Sequence, residues 1–327
     1  MTPAAVRVLR WGSLGLLGAA LLAFPLVVTN AYYARVGGLV LLSAISASAW
    51  NIVGGYAGQV SVGHSMFFGA GAYLPLLLYN QWQLPPTLGV PLGMLVALGL
   101  AVLVGTPTLR LHGHYFSMAT IGAAELIRIV VSNWEFVGAA IGLRGPAVSR
   151  TVWDFAFRSV VPYYYLFLGV LAVLLAVTWR LERTRIGYYL RAVKAGERAA
   201  RSLGVPARRY KLYALMVSAA FTALAGSLYA LWIGFVDQES GFGILVSVEM
   251  IIITALGGAG SLFGPLIGAL ILIPLQNLTN ALYGGSGTGL TFLLYGGIIV
   301  LIARFEPGGL IELWQLRIRP LFKRAKR

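Results

Sequence analysis

The chain has 327 residues, of which 58% are hydrophobic and 11% are charged, and its formal net charge is +15. Soluble domains carry about 25% charged residues, so this composition excludes an ordinary soluble protein and predicts a polytopic membrane protein. The chain has no cysteine, which excludes disulfides, thiolate catalysis and thiolate metal sites, and we predict no metal site of any other kind.

Ten apolar stretches predict membrane-spanning helices, because about 20 apolar residues cross the ~30 Å hydrocarbon core. Together they predict an all-α polytopic membrane helix bundle in which residues 1–327 form a single transmembrane domain. The first stretch lacks a small-residue cleavage site, so we interpret it as a span and not as a removed signal. The spans are 11–30, 36–53, 60–79, 88–105, 115–131, 162–179, 212–233, 244–256, 262–282 and 290–303.

The charges of the loops predict the orientation of these spans. Lysine and arginine collect on the cytosolic side, so Arg7 and Arg10 place the N-terminus in the cytosol, and alternation places the C-terminus there with a basic tail at 304–327. Of the 25 basic residues, 20 then lie inside, four lie outside and Arg128 lies within a span. Because the charge follows this rule, we expect membrane lipid as a partner and no nucleic acid.

Residues 180–211 form the only long charged segment, with ten basic residues against Glu182 and Glu197. Such a segment cannot lie in hydrocarbon, so we predict a cytosolic loop. Its interior, 188–203, contains good helix formers and ends at Gly204 and Pro206, which is typical of a short helix and its stop. A cytosolic helix between two spans is a natural contact for a soluble partner.

The segment 51–73 combines six glycines with polar residues at membrane depth. Broken helices are tolerated there where they line a cavity or pack on protein, so we predict a discontinuous element near a transport path. Close helix packing through small residues remains the alternative. The pathway candidates are Gly55, Tyr56, Gly58, Gln59, Ser61, Gly63 and His64.

Residues 249–269 contain a second glycine-rich run, in which Gly260, Gly264 and Gly268 predict one ridge for close helix packing. Two spans also carry charge. Glu125 and Arg128, at i and i+3, predict an ion pair with either a structural or a gating role. Glu249 opens the eighth span without an obvious local partner, and it faces a cavity, a subunit interface or the outer headgroups.

Catalytic motifs are absent from the sequence, so we do not expect an enzyme. The chain has no HExxH, no GxSxG and no paired carboxylates, and it lacks the GxxxxGK[ST] loop that binds ATP. If ATP drives this protein, another subunit must hydrolyse it.

Three stretches in this order resemble the permease subunits of branched-chain amino acid ABC importers, of the LivM type. They are 51–73, 187–230 and 255–275 with the later FEPGGL, and the likeness runs from about residue 40 to residue 313. The resemblance implies a multi-pass protein of the cell inner membrane that forms a heterodimer with a second permease. It also implies two cytosolic ATPase subunits that hold ATP and Mg, so that this chain has no cofactor of its own, and an external binding protein that delivers the substrate.

On this resemblance, 191–204 matches the family's cytosolic coupling segment. A small-residue face would seat in a cleft of the ATPase, while basic residues would meet acidic groups at its rim. The implied coupling residues are Arg191, Glu197, Arg198, Ala199, Ala200, Arg201 and Gly204.

Two other functions stay open at this stage. Within the family, urea or a short amide is the alternative substrate, since the sequence contains no side chain that identifies the cargo. An ion-coupled secondary transporter would need membrane-embedded charges, and Glu125, Arg128 and Glu249 are the candidates. A membrane enzyme acting on lipid is disfavoured because no catalytic constellation is present.

Overall fold

The structure, a computed structural model, describes residues 18–28, 30–146 and 159–282, residues 155 and 157, and scattered positions between 289 and 313. Most of the predicted tenth span and of the basic tail lies outside the described residues. The described residues form an assembly of helices with one short pair of strands.

The helices are α1 (Gly18–Val27), α2 (Ala31–Asn51), α3 (Ser65–Trp82), α4 (Gly89–Thr108), α5 (His114–Asn133), α6 (Val160–Glu182), α7 (Arg185–Ala195), α8 (Glu197–Ser202), α9 (Ala207–Ile233), α10 (Gln238–Phe242), α11 (Ile244–Gly257), α12 (Gly264–Leu282) and α13 (Gly309–Leu313). A π-helical turn occupies Ile52–Tyr56, and 3₁₀ turns occupy Pro86–Leu88, Glu135–Val137 and Ala139–Ile141. The strands β1 (Leu143–Arg144) and β2 (Phe235–Val236) pair antiparallel.

In the described part of the chain, six helical segments are long and apolar enough to cross a membrane: Ala31–Tyr56, Pro86–Thr108, His114–Asn133, Val160–Glu182, Ala207–Ile233 and Gln238–Gly257. They correspond to the second and the fourth to eighth predicted spans. The third and ninth predictions fall on α3 and α12, of 18 and 19 residues, and the first overlaps the shorter α1. The chain is therefore an all-α membrane bundle, while the count of ten spans stays a prediction.

The centre of the bundle is built on α2 and α9. Helix α2 packs against α6, α9, α11 and α12. Helix α9 packs against α2, α3 and α4. Residues 44–53 are all buried, so the second half of α2 is surrounded by protein. In hydrocarbon, burial of apolar side chains gives little drive for helices to associate, so close van der Waals packing of small residues carries more of the association.

Glycines allow α3 and α9 to approach each other to backbone contact. A Cβ added at Gly226 on α9 would meet the carbonyl oxygen of Phe68 on α3, and one added at Gly71 on α3 would meet the carbonyl oxygen of Ala223. The approach also brings the Ser227 hydroxyl to 2.8 Å from the Gly71 carbonyl oxygen, to which it donates. These contacts fix α3, and with it the segment that precedes it.

At the end of the bundle where α5 and α9 finish, β1 and β2 tie the two connections together. Leu143 pairs with Val236, and Arg144 pairs with Phe235. The Asn80 side-chain amide near the end of α3 donates to the Arg144 carbonyl oxygen at 2.7 Å. The positive-inside assignment predicts that this end faces the exterior.

We predict that Gly226→Ala lowers the stability of the folded chain, because the added methyl collides with the α3 backbone. Overpacking of this kind costs about 1–3 kcal/mol, and thermal unfolding of the detergent-solubilised protein, followed by size-exclusion fluorescence, should show a lower midpoint. The matched control is Gly99→Ala on α4, where an added Cβ meets nothing within 4 Å. Equal midpoints for the two variants would contradict the packing account.

Candidate functional site

The chain breaks its helical path between α2 and α3. The π-helical turn at Ile52–Tyr56 ends α2, residues 57–64 are not helical, and α3 begins only at Ser65. Gly58 has φ +67°, a conformation that glycine adopts without strain. The predicted discontinuous element is therefore present, but the predicted third span begins five residues later than expected.

A second break separates α11 from α12. Gly258 and Gly260 both have positive φ, at +123° and +85°, which glycine permits and other residues resist. The prediction that Gly260, Gly264 and Gly268 share one helical ridge is wrong at Gly260, which lies in this turn. Gly268 does pack closely, since an added Cβ would meet the Ile253 carbonyl oxygen on α11.

Asn51, at the end of α2, joins the two breaks. Its side-chain amide donates to the Ser261 carbonyl oxygen at 2.9 Å, and its Oδ1 accepts from the Gly260 N–H at 2.8 Å. Asn51 is buried, with 1% of its surface exposed. A Cβ at Gly55 would meet both the Asn51 side chain and the Gly260 nitrogen, so only glycine at 55 lets the breaks approach this closely.

Lys194 connects these breaks to α7. Its Nζ donates to the Gly55 carbonyl oxygen at 2.7 Å, and a Cβ at Gly58 would lie only 2.9 Å from its Cγ. The carbonyls at a helix end have no partner within the helix, so the lysine satisfies one of them with a charged donor. We call Asn51, Gly55, Lys194, Gly260 and Ser261 the break junction.

Sequence reasoning did not identify the break junction. It counted Lys194 only as one of ten basic residues of the loop, and it assigned Asn51 no role. An asparagine at the border of a glycine-rich break is the one local signal that could have pointed to it, because its amide can both donate and accept. The partner of each atom depends on packing across the bundle.

His64 and Ser61 lie inside the first break with no exposed surface. The His64 Nε2 is 2.8 Å from the Ser218 hydroxyl, which itself donates to the Ala49 carbonyl oxygen at 2.6 Å. Because the Ser218 hydroxyl donates to Ala49, it can only accept a hydrogen bond from His64, and this places the ring proton on Nε2. The Nδ1 then accepts from the Ser61 hydroxyl at 2.8 Å. Both ring nitrogens have protein partners.

The rest of the break and the start of α3 are attached to two other helices, α5 and α11. Val62 N–H donates to Thr120 Oγ1 on α5 at 3.2 Å, and Ser65 N–H donates to Ser247 Oγ on α11 at 2.7 Å. Ser117 Oγ donates to the Val60 carbonyl oxygen at 2.6 Å. Of the predicted pathway residues, Gly55, Tyr56, Ser61, Gly63 and His64 are buried, whereas Gly58 is exposed and Gln59 is half-buried.

The predicted loop helix at 188–203 is two helices, α7 and α8. They are separated at Gly196, whose extended backbone has φ 177° and ψ 101°. A glycine lowers the stability of a continuous helix, and Glu197 then begins a new one. Ala200 packs inward against Val193 and Ala207, so the expectation that it faces a partner is wrong.

Glu197 anchors α8 to the first turns of α9. Lys211 Nζ donates to one carboxylate oxygen and Arg201 Nη2 donates to the other at 2.6 Å. The Lys211 side chain is fully buried, and that of Glu197 is 12% exposed. Burial by itself raises the pKa of Glu197, but the hydrogen bond and charge of Lys211 and the charge of Arg201 hold it below the usual value.

The opposite side of α8 is open. Arg198, Ala199 and Arg201 are exposed, and Leu203 just after the helix is 85% exposed. We call these four residues the α8 surface. Gly204 follows with φ +82° and ends the segment as predicted, while Arg191 on α7 donates to the Glu182 carbonyl oxygen at 3.3 Å.

The charged residues within the spans have different partners. Arg128 donates through Nε to Glu125 at 2.9 Å, and its Nη1 lies 3.6 Å from Glu239 on α10. Glu249, in contrast, accepts a hydrogen bond from the Ser43 hydroxyl on α2 at 3.0 Å. The predicted ion pair between Glu125 and Arg128 is present. The partner of Glu249 is not local, since Ser43 is 206 positions away in the sequence.

Known proteins resemble this chain over most of its length. A family model described as "Branched-chain amino acid transport system / permease component" matches residues 32–303. The chain is 32% identical over 305 residues to the high-affinity branched-chain amino acid transport system permease protein LivM of Escherichia coli (strain K12), covering 86% of this chain and 70% of that protein.

Two further similarities are more distant. The chain is 34% identical over 165 residues to the autoinducer 2 import system permease protein LsrC of Klebsiella pneumoniae, covering 49% of this chain and 46% of that protein. Among solved structures it is similar to PsaBC from Streptococcus pneumoniae in complex with Fab, at a TM-score of 0.46 and 16% identity over 90% of this chain and 99% of that chain.

We predict that Lys211→Met strongly destabilises the attachment of α8, because it leaves a buried carboxylate without its partner. Removing one member of a buried pair costs about 3–5 kcal/mol, so the thermal midpoint should fall and limited proteolysis should cut more readily near residue 197. The control is Arg201→Gln, whose side chain is 49% exposed and whose loss should cost under about 1 kcal/mol. The account is wrong if Lys211→Met is as stable and as protease-resistant as the unmodified chain.

Proposed function

The chain belongs to the family of permease components of branched-chain amino acid transport systems, and we propose that it imports branched-chain or other amino acids as one permease subunit of an ABC importer. In this proposal it lies in the inner membrane with both termini in the cytosol. A second permease completes the pathway, two ATPase subunits bind α8 from the cytosol, and an external binding protein delivers the substrate.

One observation carries this proposal: Lys194, on the helix that precedes α8, donates to the Gly55 carbonyl oxygen within the first break, at 2.7 Å. Only two residues, Ala195 and Gly196, separate Lys194 from Glu197, the first residue of α8. A movement of α8 would therefore reach the break through one short path. Asn51 extends this path to the second break through Gly260 and Ser261.

The α8 surface has the character of an ATPase contact. Leu203 offers an apolar side chain, and Arg198 and Arg201 offer positive charge for an acidic rim. The inner side of α8 is held by Ala200 in its small apolar cluster and by the Glu197–Lys211 pair. A helix that is open on one side and anchored on the other can transmit a displacement of its partner to the bundle.

In this mechanism, ATP binding closes the partner ATPases and shifts the permease between inward-open and outward-open states. A partner shifts such an equilibrium when its contacts differ between the two states. Here those contacts are the ones between the ATPases and α8. The two breaks supply the elements that can change arrangement, because residues 57–64 and the turn before α12 are held by side-chain hydrogen bonds and not by a continuous helix.

The test of the function is copurification of the tagged chain from native membranes, followed by uptake of L-leucine in proteoliposomes. We expect ATPase subunits to copurify, and Leu203→Glu to lose them because a charge enters an apolar contact. Ile141→Glu is the control, since Ile141 is also 85% exposed but lies near the opposite end of the bundle. Uptake that needs no ATPase and follows an ion gradient would instead establish a secondary transporter.

We predict that Lys194→Met separates ATP hydrolysis from transport. Loss of one charge-assisted hydrogen bond is worth about 1.5–3 kcal/mol, so uptake should fall by about tenfold or more while the ATPase subunits still copurify and hydrolyse ATP. Lys194→Arg keeps a charged donor and should retain part of the uptake. Arg185→Met removes an exposed cation from the same helix and should leave uptake unchanged. If Lys194→Met takes up as much substrate as the unmodified importer, the break junction has no role in coupling.

A further inference from the structure

Glu249 is a carboxylate within a membrane span. It lies in the segment Gln238–Gly257, whose mean hydropathy is 1.9. A charged side chain is unfavourable at such a position, so ionisable residues there are generally paired or face a cavity. The Glu249 carboxylate therefore needs a partner or a cavity.

The contacts of Glu249 include no group that would compensate the negative charge of its carboxylate. The Ser43 hydroxyl donates to its Oε1 at 3.0 Å, but a neutral amide would accept that bond equally well. Within the described ranges, none of the ion pairs includes Glu249, whereas Glu125 is paired with Arg128. An ionised carboxylate has about four acceptor positions, so most of its capacity is left for a donor from outside these residues.

Part of the Glu249 surface is exposed in this chain. Glu249 and Ser43 are half-buried, while their neighbours Met250 and Leu42 are buried. One turn earlier on each helix lie Leu245, which is 40% exposed, and Leu39, which is half-buried. Residues at i and i+4 share a helix face, so Leu39 lies on the Ser43 face of α2 and Leu245 lies on the Glu249 face of α11. The hydrogen bond between Ser43 and Glu249 joins the two faces into one strip of two leucines, one serine and one acid. We call it the α2–α11 strip.

We propose that the Glu249 carboxylate binds the positively charged amino group of the substrate as it crosses the membrane. An ammonium group carries three donors and one positive charge, which complement the unused acceptors, and Leu39 and Leu245 suit an apolar side chain. This inference rests on the proposed function and narrows it. A primary ammonium distinguishes an amino acid from urea or a short amide, which is neutral and has no need of a carboxylate.

The test uses the complete importer, with both permeases, the ATPases and the binding protein, reconstituted in proteoliposomes with radiolabelled L-leucine or urea outside. We expect ATP-dependent uptake of leucine and not of urea. Glu249→Gln keeps the size and the acceptor for Ser43 but removes the charge, and it should lower leucine uptake by about tenfold or more, the loss of one charge-assisted contact. Because the binding protein is the same in every sample, the difference arises in this chain.

Glu239→Gln is the matched control, an acid of the same segment whose side chain is 63% exposed. Its uptake should stay within about twofold of the unmodified importer, as expected for an exposed charge. Basal ATP hydrolysis and copurification of the second permease are measured for both variants, and we expect neither to change, so that misfolding is distinguished from loss of binding.

The other outcomes separate the inference from the function on which it rests. Undiminished leucine uptake by Glu249→Gln overturns the ammonium contact and leaves the importer intact. If the second permease no longer copurifies with the Glu249→Gln variant, the carboxylate pairs with a basic group across the subunit interface. That result also overturns the ammonium contact. Uptake of urea instead of leucine overturns the substrate class, and ATP-dependent uptake of neither overturns the proposed function and this inference together.

Discussion

A backbone group that is buried in the protein needs a hydrogen-bond partner, and this constraint governs the two helix breaks. Each interrupted helix exposes N–H and C=O groups that cost several kcal/mol if left without partners. The chain satisfies them with side chains from distant helices, among them Lys194 to the Gly55 carbonyl and Asn51 to the turn before α12. The glycines permit the bends, and the polar side chains supply hydrogen-bond partners to the backbone groups that the bends release.

A second consequence of the same constraint is that neither break stands alone. Asn51 uses both the donor and the acceptor of its amide on the turn at Gly260 and Ser261. A rearrangement of one break therefore disturbs the hydrogen bonds of the other. The break junction joins α2, α7 and the α11–α12 turn into one unit, and α7 leads directly into α8 through the extended Gly196.

The sequence allowed the all-α membrane class, the first glycine-rich break and the basic segment to be predicted, because composition and glycine clusters are local signals. It did not allow the contacts to be predicted. Lys194 and Gly55 are 139 residues apart, and Asn51 and Ser261 are 210 apart, so packing across the bundle decides the pairs. Two errors were local: the helix was predicted to continue through Gly196, and Ala199 and Ala200 were both assigned to the outer face although only Ala199 is exposed.

The buried histidine of the first break has a consequence for the membrane as an electrical barrier. The Ser218 proton is committed to the Ala49 carbonyl, so the chain of bonds runs in one direction from Ser61 through His64 to Ser218. A proton relay needs a ring that can take up a proton on one nitrogen and release it from the other. Hydroxyls can pass protons to such a ring, but this chain of bonds ends at the Ala49 carbonyl oxygen, which has no proton to pass on, and neither Ser61 nor His64 has exposed surface. His64 can therefore brace the break without opening a path for protons through it.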